Sequence, residues 1–144
     1  MKKEVLFRLA KHITFLEDEL KDHEIFKNLS WEDYNQYRSK RREVERWAEN
    51  IINSSIDVSK IILASEGLPL ADTYKDIVSS LSLVSGFDKE AMEKLSGYVK
   101  LRNIITHEYL DLRWSSIKKF ISEATPFYNE LVSDVKKYLD MKMK

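Results

Sequence analysis

The chain contains no cysteine. Disulfide bonds and thiolate zinc sites are therefore excluded, and a reducing compartment, by default the cytoplasm, is expected. The chain also lacks a long hydrophobic run, because charged residues interrupt the apolar N-terminal segment "MKKEVLFRLAKHITFLEDEL" every few positions. That pattern fits neither a signal peptide nor a membrane span, so we expect a soluble protein that is not exported.

An excess of charge of one sign is also absent, since 24 Lys and Arg residues balance 24 Asp and Glu residues. The net charge of the chain therefore does not indicate a nucleic-acid partner. Any surface that binds phosphate has to be a local patch. Net charge neither supports nor excludes RNA as a ligand.

Glycine and proline are scarce, at three and two residues, and most of them fall between segments of helical periodicity. This distribution predicts long helices with short connections. A length of 144 residues suits one domain with one core. We expect a single all-α domain, residues 1–144, built as a bundle of four or five helices.

Apolar spacing and capping residues predict where the helices lie. The first covers about residues 3–22. The second begins after an N-cap at Ser30, and its apolar periodicity continues for about 35 residues, to the sequence "EGLP". A shorter third helix, "TYKDIVSSLSLV", is closed by Gly86.

The fourth predicted helix is capped by Asp88 and runs through "KEAMEKLSGYVKLRNIITHEYL". Gly97 lies inside it, and because an internal glycine lowers helix stability, we expect close packing against a neighbour there. A final helical region spans about residues 114–141. It kinks or restarts where Thr125 acts as N-cap and Pro126 takes the first helical position.

Basic residues recur on the second predicted helix, in "RSKRREVER". Arg38, Arg42 and Arg46 are four residues apart and form one edge. This edge is either a solvated face balanced by Glu43 and Glu45, or part of a groove that attracts phosphate.

Four hydrogen-bonding side chains are concentrated in "RNIITHEYLD", residues 102–111: Arg102, Asn103, His107 and Tyr109. On a regular helix Arg102 and His107 lie about 140° apart and do not share a face. Asn103 can reach His107 one turn away and fix its tautomer, whereas Arg102 and Tyr109 share another face. One helix therefore makes a poor active site. Two copies facing each other across a dyad, or an unwound helix end near His107, would bring arginine and histidine into one cleft.

An arginine and a histidine in one cleft suit RNA cleavage without a metal ion. The histidine takes the 2′-hydroxyl proton as general base, and the arginine stabilises the charge that builds on the phosphate. None of the three histidines has a partner at the spacing of a metal site on a helix. In the alternative interpretation, Arg102 pairs with Glu108 or Asp111, and His107 is a satisfied core residue.

The segment "RNIITHEY" resembles the Arg-(x)4-His-x-Tyr motif of the HepT-like toxins, a branch of the HEPN superfamily. The resemblance extends to the long helical segment "EVERWAENIINSSIDVSKIILASEGLPLADTYKDIVSSL" and, downstream, to "DLRWSSIKKFI". It covers about residues 30–121 closely. An Arg-(x)4-His pair alone is a weak signal, but with Asn103 after the arginine, Tyr109 after the histidine and the matching flanks it is a strong one.

This resemblance implies a homodimer of helical bundles in which the motif helices meet at a cleft. It implies a metal-independent endoribonuclease of a type II toxin–antitoxin pair, without a cofactor, with Arg102 and His107 as catalytic residues and Asn103 beside them. The implied partner is an antitoxin of the minimal nucleotidyltransferase (MNT) type. That antitoxin would transfer AMP from ATP to Tyr109, and the bulky anion would silence the RNA site.

The supporting RNA contacts predicted from charge are Arg38, Lys40, Arg41, Arg42, Arg46, Lys100 and Arg113. Trp31, Tyr34 and Trp47 have helical spacing and are expected in the core more often than on a base-stacking surface. Two rivals remain at the level of sequence. One is a non-catalytic HEPN module that binds a nucleotide or a partner protein, and the other is a structural dimer whose motif residues are tied up in internal hydrogen bonds.

Overall fold

The computed structural model describes all residues from Met1 to Lys144 and contains only helices. Nine are α-helices and one is a short 3₁₀ helix, Ser80–Leu83, between the fifth and the sixth. The α-helices are α1 (Lys3–Lys21), α2 (His23–Phe26), α3 (Trp31–Gln36), α4 (Arg38–Ser65), α5 (Tyr74–Ser79), α6 (Lys89–Tyr98), α7 (Leu101–His107), α8 (Leu110–Glu123) and α9 (Thr125–Lys142). The predicted all-α bundle is confirmed. Five helices, α1, α4, α6, α8 and α9, are the longest, and the predicted helices appear as more pieces because several of them break.

The core is built around α4, the longest helix. Its apolar side chains recur every three or four residues, so one face is continuously buried from Val44 to Leu63. Helix α1 packs on α4 and α9, and α6 packs on α5 and α9. The buried apolar side chains form one cluster of 37 residues. The helices therefore share one hydrophobic core.

The second predicted helix is two helices, so the prediction of one continuous helix from Ser30 was wrong. The Ser30 cap itself is confirmed, since its hydroxyl accepts a hydrogen bond from the backbone N–H three residues on, at 3.1 Å. The chain then leaves the helix at Tyr37, whose backbone is extended. Arg41 Nη1 donates to the carbonyl oxygens of Tyr34 and Asn35, at 3.1 and 3.2 Å. The guanidinium therefore satisfies acceptors at the end of α3, which makes the break stable.

The fourth predicted helix also breaks. The Asp88 cap is confirmed, because its carboxylate accepts from the N–H of Ala91 at 2.8 Å. Helix α6 ends at Tyr98, and a turn leads from it into α7. The hydrogen bonds of this turn join residues three apart, as in a 3₁₀ helix; one of them runs from Arg102 N–H to Val99 O at 3.2 Å. The predicted close packing at Gly97 was wrong, because an added Cβ there would meet nothing within 4 Å.

Two further boundaries differ in detail. The third predicted helix is α5 followed by the 3₁₀ helix, and Gly86 follows it with a φ of 95°. The predicted restart at Pro126 is confirmed, but the capping position is Ala124, and no side chain caps α9. Helix α8 begins at Leu110, before the predicted start at 114. None of the helices combines the length and hydrophobicity needed to cross a membrane.

Candidate active site

The motif residues lie on α7 and on the turn that joins α7 to α8. Arg102 is in the first turn of α7 and is half-buried. His107 is the last residue of α7, and the backbone at Glu108 is extended. Tyr109 occupies the N-cap position of α8 and is 84% exposed. The helix therefore ends at His107, which frees the histidine and the tyrosine from the regular geometry of one helix.

Arg102 makes no ion pair or side-chain hydrogen bond within the chain. The predicted alternative, pairing with Glu108 or Asp111, is not seen, and Asp111 instead accepts from the N–H of Leu112 at 2.9 Å. The guanidinium carbon of Arg102 lies 4.9 Å from the ring centre of Tyr74 in α5. An arginine held by a ring rather than by a carboxylate keeps its charge uncompensated, so its unpaired N–H donors stay available for an anion.

His107 is exposed and has no hydrogen-bond partner, so it is not a satisfied core residue. The other two histidines have partners within the fold. His23 Nε2 lies 2.8 Å from the carbonyl oxygen of Ile121, and His12 Nδ1 lies 3.3 Å from Ser54 Oγ. Among the three histidines, His107 alone has its imidazole free for proton transfer.

Asn103 is exposed and makes no side-chain hydrogen bond in the protomer. It is one helical turn from His107 on α7, so the spacing that predicts their contact is present. The predicted hydrogen bond between the two side chains is not formed in this protomer. No cluster of three His, Cys, Asp or Glu side chains is placed to hold a metal ion.

Arg102 and Asn103 line an open cleft of about 620 Å³ between α4, α5 and α7. Glu49 and Asn53 of α4 form one wall, and Lys75 of α5 lies on another. His107 and Tyr109 are not among the residues that line it. A single protomer thus places the arginine at a cleft and the histidine outside it.

Part of the predicted basic edge continues this wall. Arg38, Arg42, Glu49 and Asn53 are spaced by four, seven and four residues, which puts them on one stripe of α4. Arg38 and Arg42 are exposed and make no ion pair. They do not line the cleft itself, but they lie on the same side of α4, and their positive charges have no partner in the chain.

The comparison with protein families gives one match. A family model described as "Ribonuclease HepT-like" matches residues 15–135. The chain belongs to the HepT-like ribonuclease family. This confirms the resemblance read from the motif, and the match extends it from α1 into α9. No curated protein matches the chain.

The other basic residues that were predicted to contact RNA in this HepT-like chain differ in their surroundings. Arg46 lines a separate hollow near α1 and α2, with Glu19 and Asp22. Lys40 Nζ is 3.5 Å from a carboxylate oxygen of Asp33, and Arg41 is engaged at the end of α3. Lys100 is exposed and lines the cleft. Position therefore favours Arg38, Arg42 and Lys100 as contacts for an RNA backbone.

Arg113 is the predicted RNA contact whose surroundings agree least with that role. Its Nη2 donates to both carboxylate oxygens of Glu45, 2.6 Å from Oε1. Glu45 is only 8% exposed, and the hydroxyl of Tyr34 also donates to it. The expectation that Glu45 balances a solvated edge was wrong, and Arg113 is placed as its internal counter-ion.

This Tyr34–Glu45–Arg113 network joins α3, α4 and α8. Burial raises the pKa of Tyr34, and the neighbouring charge of Glu45 raises it further. Burial opposes the charge of Arg113, but its hydrogen bond and ion pair with Glu45 outweigh burial, so its pKa is raised. The backbone N–H of Arg113 donates to the carbonyl oxygen of Tyr109 at 3.0 Å. The network therefore anchors the first turn of α8, next to the motif tyrosine.

The predicted aromatic residues belong to the core of this HepT-like chain. Tyr34 and Trp47 are buried, and Trp31 is packed against the core beside Trp114. The indole N–H of Trp47 donates to the carbonyl oxygen of Glu19 at 2.6 Å. Their placement favours packing over base stacking.

Proposed function

We propose that this protein is the toxin of a type II toxin–antitoxin pair and acts as a metal-independent endoribonuclease. The proposal is supported by the absence of intramolecular partners for two motif side chains. Within a chain of the HepT-like ribonuclease family, Arg102 and His107 both lack an intramolecular hydrogen-bond or charge partner. Unpaired polar side chains that match a family motif are available for chemistry rather than for stability.

In the proposed reaction, His107 removes the proton from a ribose 2′-hydroxyl. The 2′-oxygen then bonds to the adjacent phosphorus, and the bond from phosphorus to the 5′-oxygen breaks. The leaving 5′-oxygen takes a proton from the imidazolium or from water, and the phosphate is left as a 2′,3′-cyclic ester. Arg102 donates to the phosphate oxygens, where negative charge builds in the transition state. Asn103 orients the imidazole.

A homodimer would complete the site. Arg102 lines the cleft whereas His107 lies outside it, so a second copy of α7 is the simplest source of a histidine opposite each arginine. Support comes from the surface around the turn between α7 and α8, where Leu112 is 52% exposed beside the exposed Tyr109. Adjoining exposed apolar residues are typical of an interaction surface.

Regulation by AMP addition is proposed for Tyr109. Its side chain is 84% exposed, and its hydroxyl has no partner. An MNT-type nucleotidyltransferase antitoxin would place this hydroxyl against ATP. The phenolic oxygen would bond to the α-phosphorus, and pyrophosphate would leave. The added phosphate would put a negative charge next to His107, where RNA phosphate has to bind.

A second candidate function is a non-catalytic module that binds a nucleotide or a partner protein. The cleft favours it, because a volume of about 620 Å³ lies within the range of roughly 300–1,000 Å³ that is typical of small-molecule sites. Nucleotide binding without RNA cleavage, and without toxicity on expression, would support this candidate over the ribonuclease.

The decisive experiment is cleavage of cellular RNA by the purified protein in the presence of a chelator. We expect Arg102→Ala and His107→Ala to lower the rate by at least about 100-fold. Arg8→Ala and His12→Gln, on α1, serve as matched controls and should cleave like the wild type. Equal cleavage by all five proteins would mean that the motif is not the active site, and the proposal would fail.

A further inference from the structure

Tyr74 is the side chain that Arg102 contacts, and no sequence motif includes it. It is the first residue of α5, which is capped by the Thr73 hydroxyl accepting from the N–H of Asp76 at 3.1 Å. The ring is 46% exposed, so it does not belong to the hydrophobic core. The cap fixes the backbone of Tyr74, and its side chain is not needed to fill the hydrophobic core.

Two cations lie against this ring. The guanidinium carbon of Arg102 is 4.9 Å from the ring centre, and Nζ of Lys60 in α4 is 4.8 Å from it. The electron-rich face of an aromatic ring attracts cations at this distance. The ring of Tyr74 therefore links α5 to a cation from α4 and a cation from α7.

Stacking has a different chemical consequence from an ion pair. A carboxylate bound to Arg102 would occupy the edge of the guanidinium and compete with a phosphate for the same N–H groups. The ring of Tyr74 carries no negative charge to neutralise the guanidinium, and the side-chain N–H groups of Arg102 have no hydrogen-bond partner in the chain. Glu49 and Asp72 also line the cleft, yet neither pairs with the arginine. The contact restricts the arginine without neutralising it.

We propose that Tyr74 is a positioning residue for Arg102, holding the guanidinium against its ring so that the unpaired N–H donors are presented to the scissile phosphate. The inference rests on the proposed ribonuclease function. The ring does this work and the phenol hydroxyl does not, because the hydroxyl makes no hydrogen bond in the structure. Phenylalanine should therefore replace tyrosine at this position, and alanine should not.

Cleavage kinetics test the proposal with three variants of the full chain. Tyr74→Ala is expected to lower kcat about tenfold with little change in KM, because a poorly held arginine weakens transition-state binding more than ground-state binding. Tyr74→Phe should keep the wild-type kcat. Phe7→Ala is the matched control, since Phe7 is 64% exposed on α1 and stacks under Lys11 at 4.7 Å. Its kcat should not change.

Two-dimensional NMR of the arginine side chains gives a readout that does not depend on activity. The Hδ protons of Arg102, assigned by comparison with Arg102→Lys, should show an upfield ring-current shift in the wild type and in Tyr74→Phe. The shift should disappear in Tyr74→Ala. If all variants unfold at the same temperature as the wild type, the fold is intact.

The outcomes separate this inference from the function on which it rests. If Arg102→Ala abolishes cleavage but Tyr74→Ala cleaves as fast as the wild type, or faster, the positioning role is overturned and the ribonuclease stands. An absent ring-current shift in the wild type would also overturn it. If Arg102→Ala cleaves normally, the proposed function fails instead.

Discussion

Glu45 and Arg113 are 68 residues apart in the chain and form an ion pair between α4 and α8, one helical turn from Tyr109. Both side chains are largely shielded from water, and Tyr34 donates a third hydrogen bond to the carboxylate. Removal of one partner from such a pair leaves a charge without compensation. The pair therefore matters for the stability of the region that carries the motif.

Arg113→Ala should lower the free energy of unfolding by about 3 kcal/mol, because the carboxylate of Glu45 would stay shielded from water without its counter-ion. Chemical denaturation followed by circular dichroism measures this. Lys136→Ala is the matched control, since its ion pair with Glu17 at 2.9 Å is exposed and should contribute less than about 1 kcal/mol. Equal losses in both variants would contradict a special role for the internal pair.

Alkaline pH should weaken the fold through Tyr34. Its pKa in the folded protein is raised by burial and by Glu45, so the fold favours the neutral phenol. This stabilisation is complete below the ordinary tyrosine pKa of about 10 and is lost as pH rises from there through the raised folded value. Denaturation at several pH values should show a steep loss of stability above about pH 10. The loss should be shallower in Tyr34→Phe, which cannot ionise there, and identical slopes would refute the assignment.

RNA binding should depend more on Arg42 than on Arg46. Both side chains lie on one edge of α4, but Arg46 lines the hollow with Glu19 and Asp22, whose carboxylates offset its charge, whereas Arg42 makes no ion pair. We expect Arg42→Ala to weaken binding of single-stranded RNA and to reduce the slope of log K against log salt by about 0.7. Fluorescence anisotropy across salt concentrations, with the catalytically silent His107→Ala background, measures both quantities. If Arg46→Ala weakens binding more than Arg42→Ala does, the RNA binds near the hollow that Arg46 lines and not along the surface around Arg42.

AMP addition should occur on Tyr109 and nowhere else. After co-expression with a nucleotidyltransferase encoded beside the gene, intact-mass and peptide spectrometry should show one added AMP in the wild type and none in Tyr109→Phe. Tyr37→Phe is the control, because Tyr37 is also an exposed tyrosine but lies at the start of α4. Modification that persists in Tyr109→Phe would remove the proposed switch, whereas RNA cleavage by that variant should continue.

Mixing two inactive variants should restore cleavage if the site is shared. In a heterodimer of Arg102→Ala with His107→Ala, one of the two composite sites contains a wild-type arginine from one copy and a wild-type histidine from the other. We expect about a quarter of the wild-type rate after equal amounts of the two proteins are refolded together, because about half of the dimers are then heterodimers and each has one complete site. Light scattering should show dimers in all samples. Dimers that stay inactive after mixing would indicate that arginine and histidine act within one protomer.

Helix starts were predictable because their signals are local. Ser30 and Asp88 each accept a hydrogen bond from the N–H three residues on, and Pro126 fits only the first turn of a helix. Helix breaks at Tyr37 and Val99 were missed. Neither is at a glycine or proline, and the first is stabilised by the side chain of Arg41 reaching back to α3.

The sequence by itself determined the all-α class, the capped helix starts and the motif residues Arg102, His107 and Tyr109, because periodicity, capping and a short motif are all readable within a few turns of chain. Tertiary structure alone decided that the guanidinium of Arg102 lies against the ring of Tyr74 and that Arg113 is bound to Glu45. Both contacts join helices that are distant in sequence, and no local pattern encodes such a distance. The physical reason is that α4 packs against α5, α7 and α8 together, which brings their side chains within reach of one another.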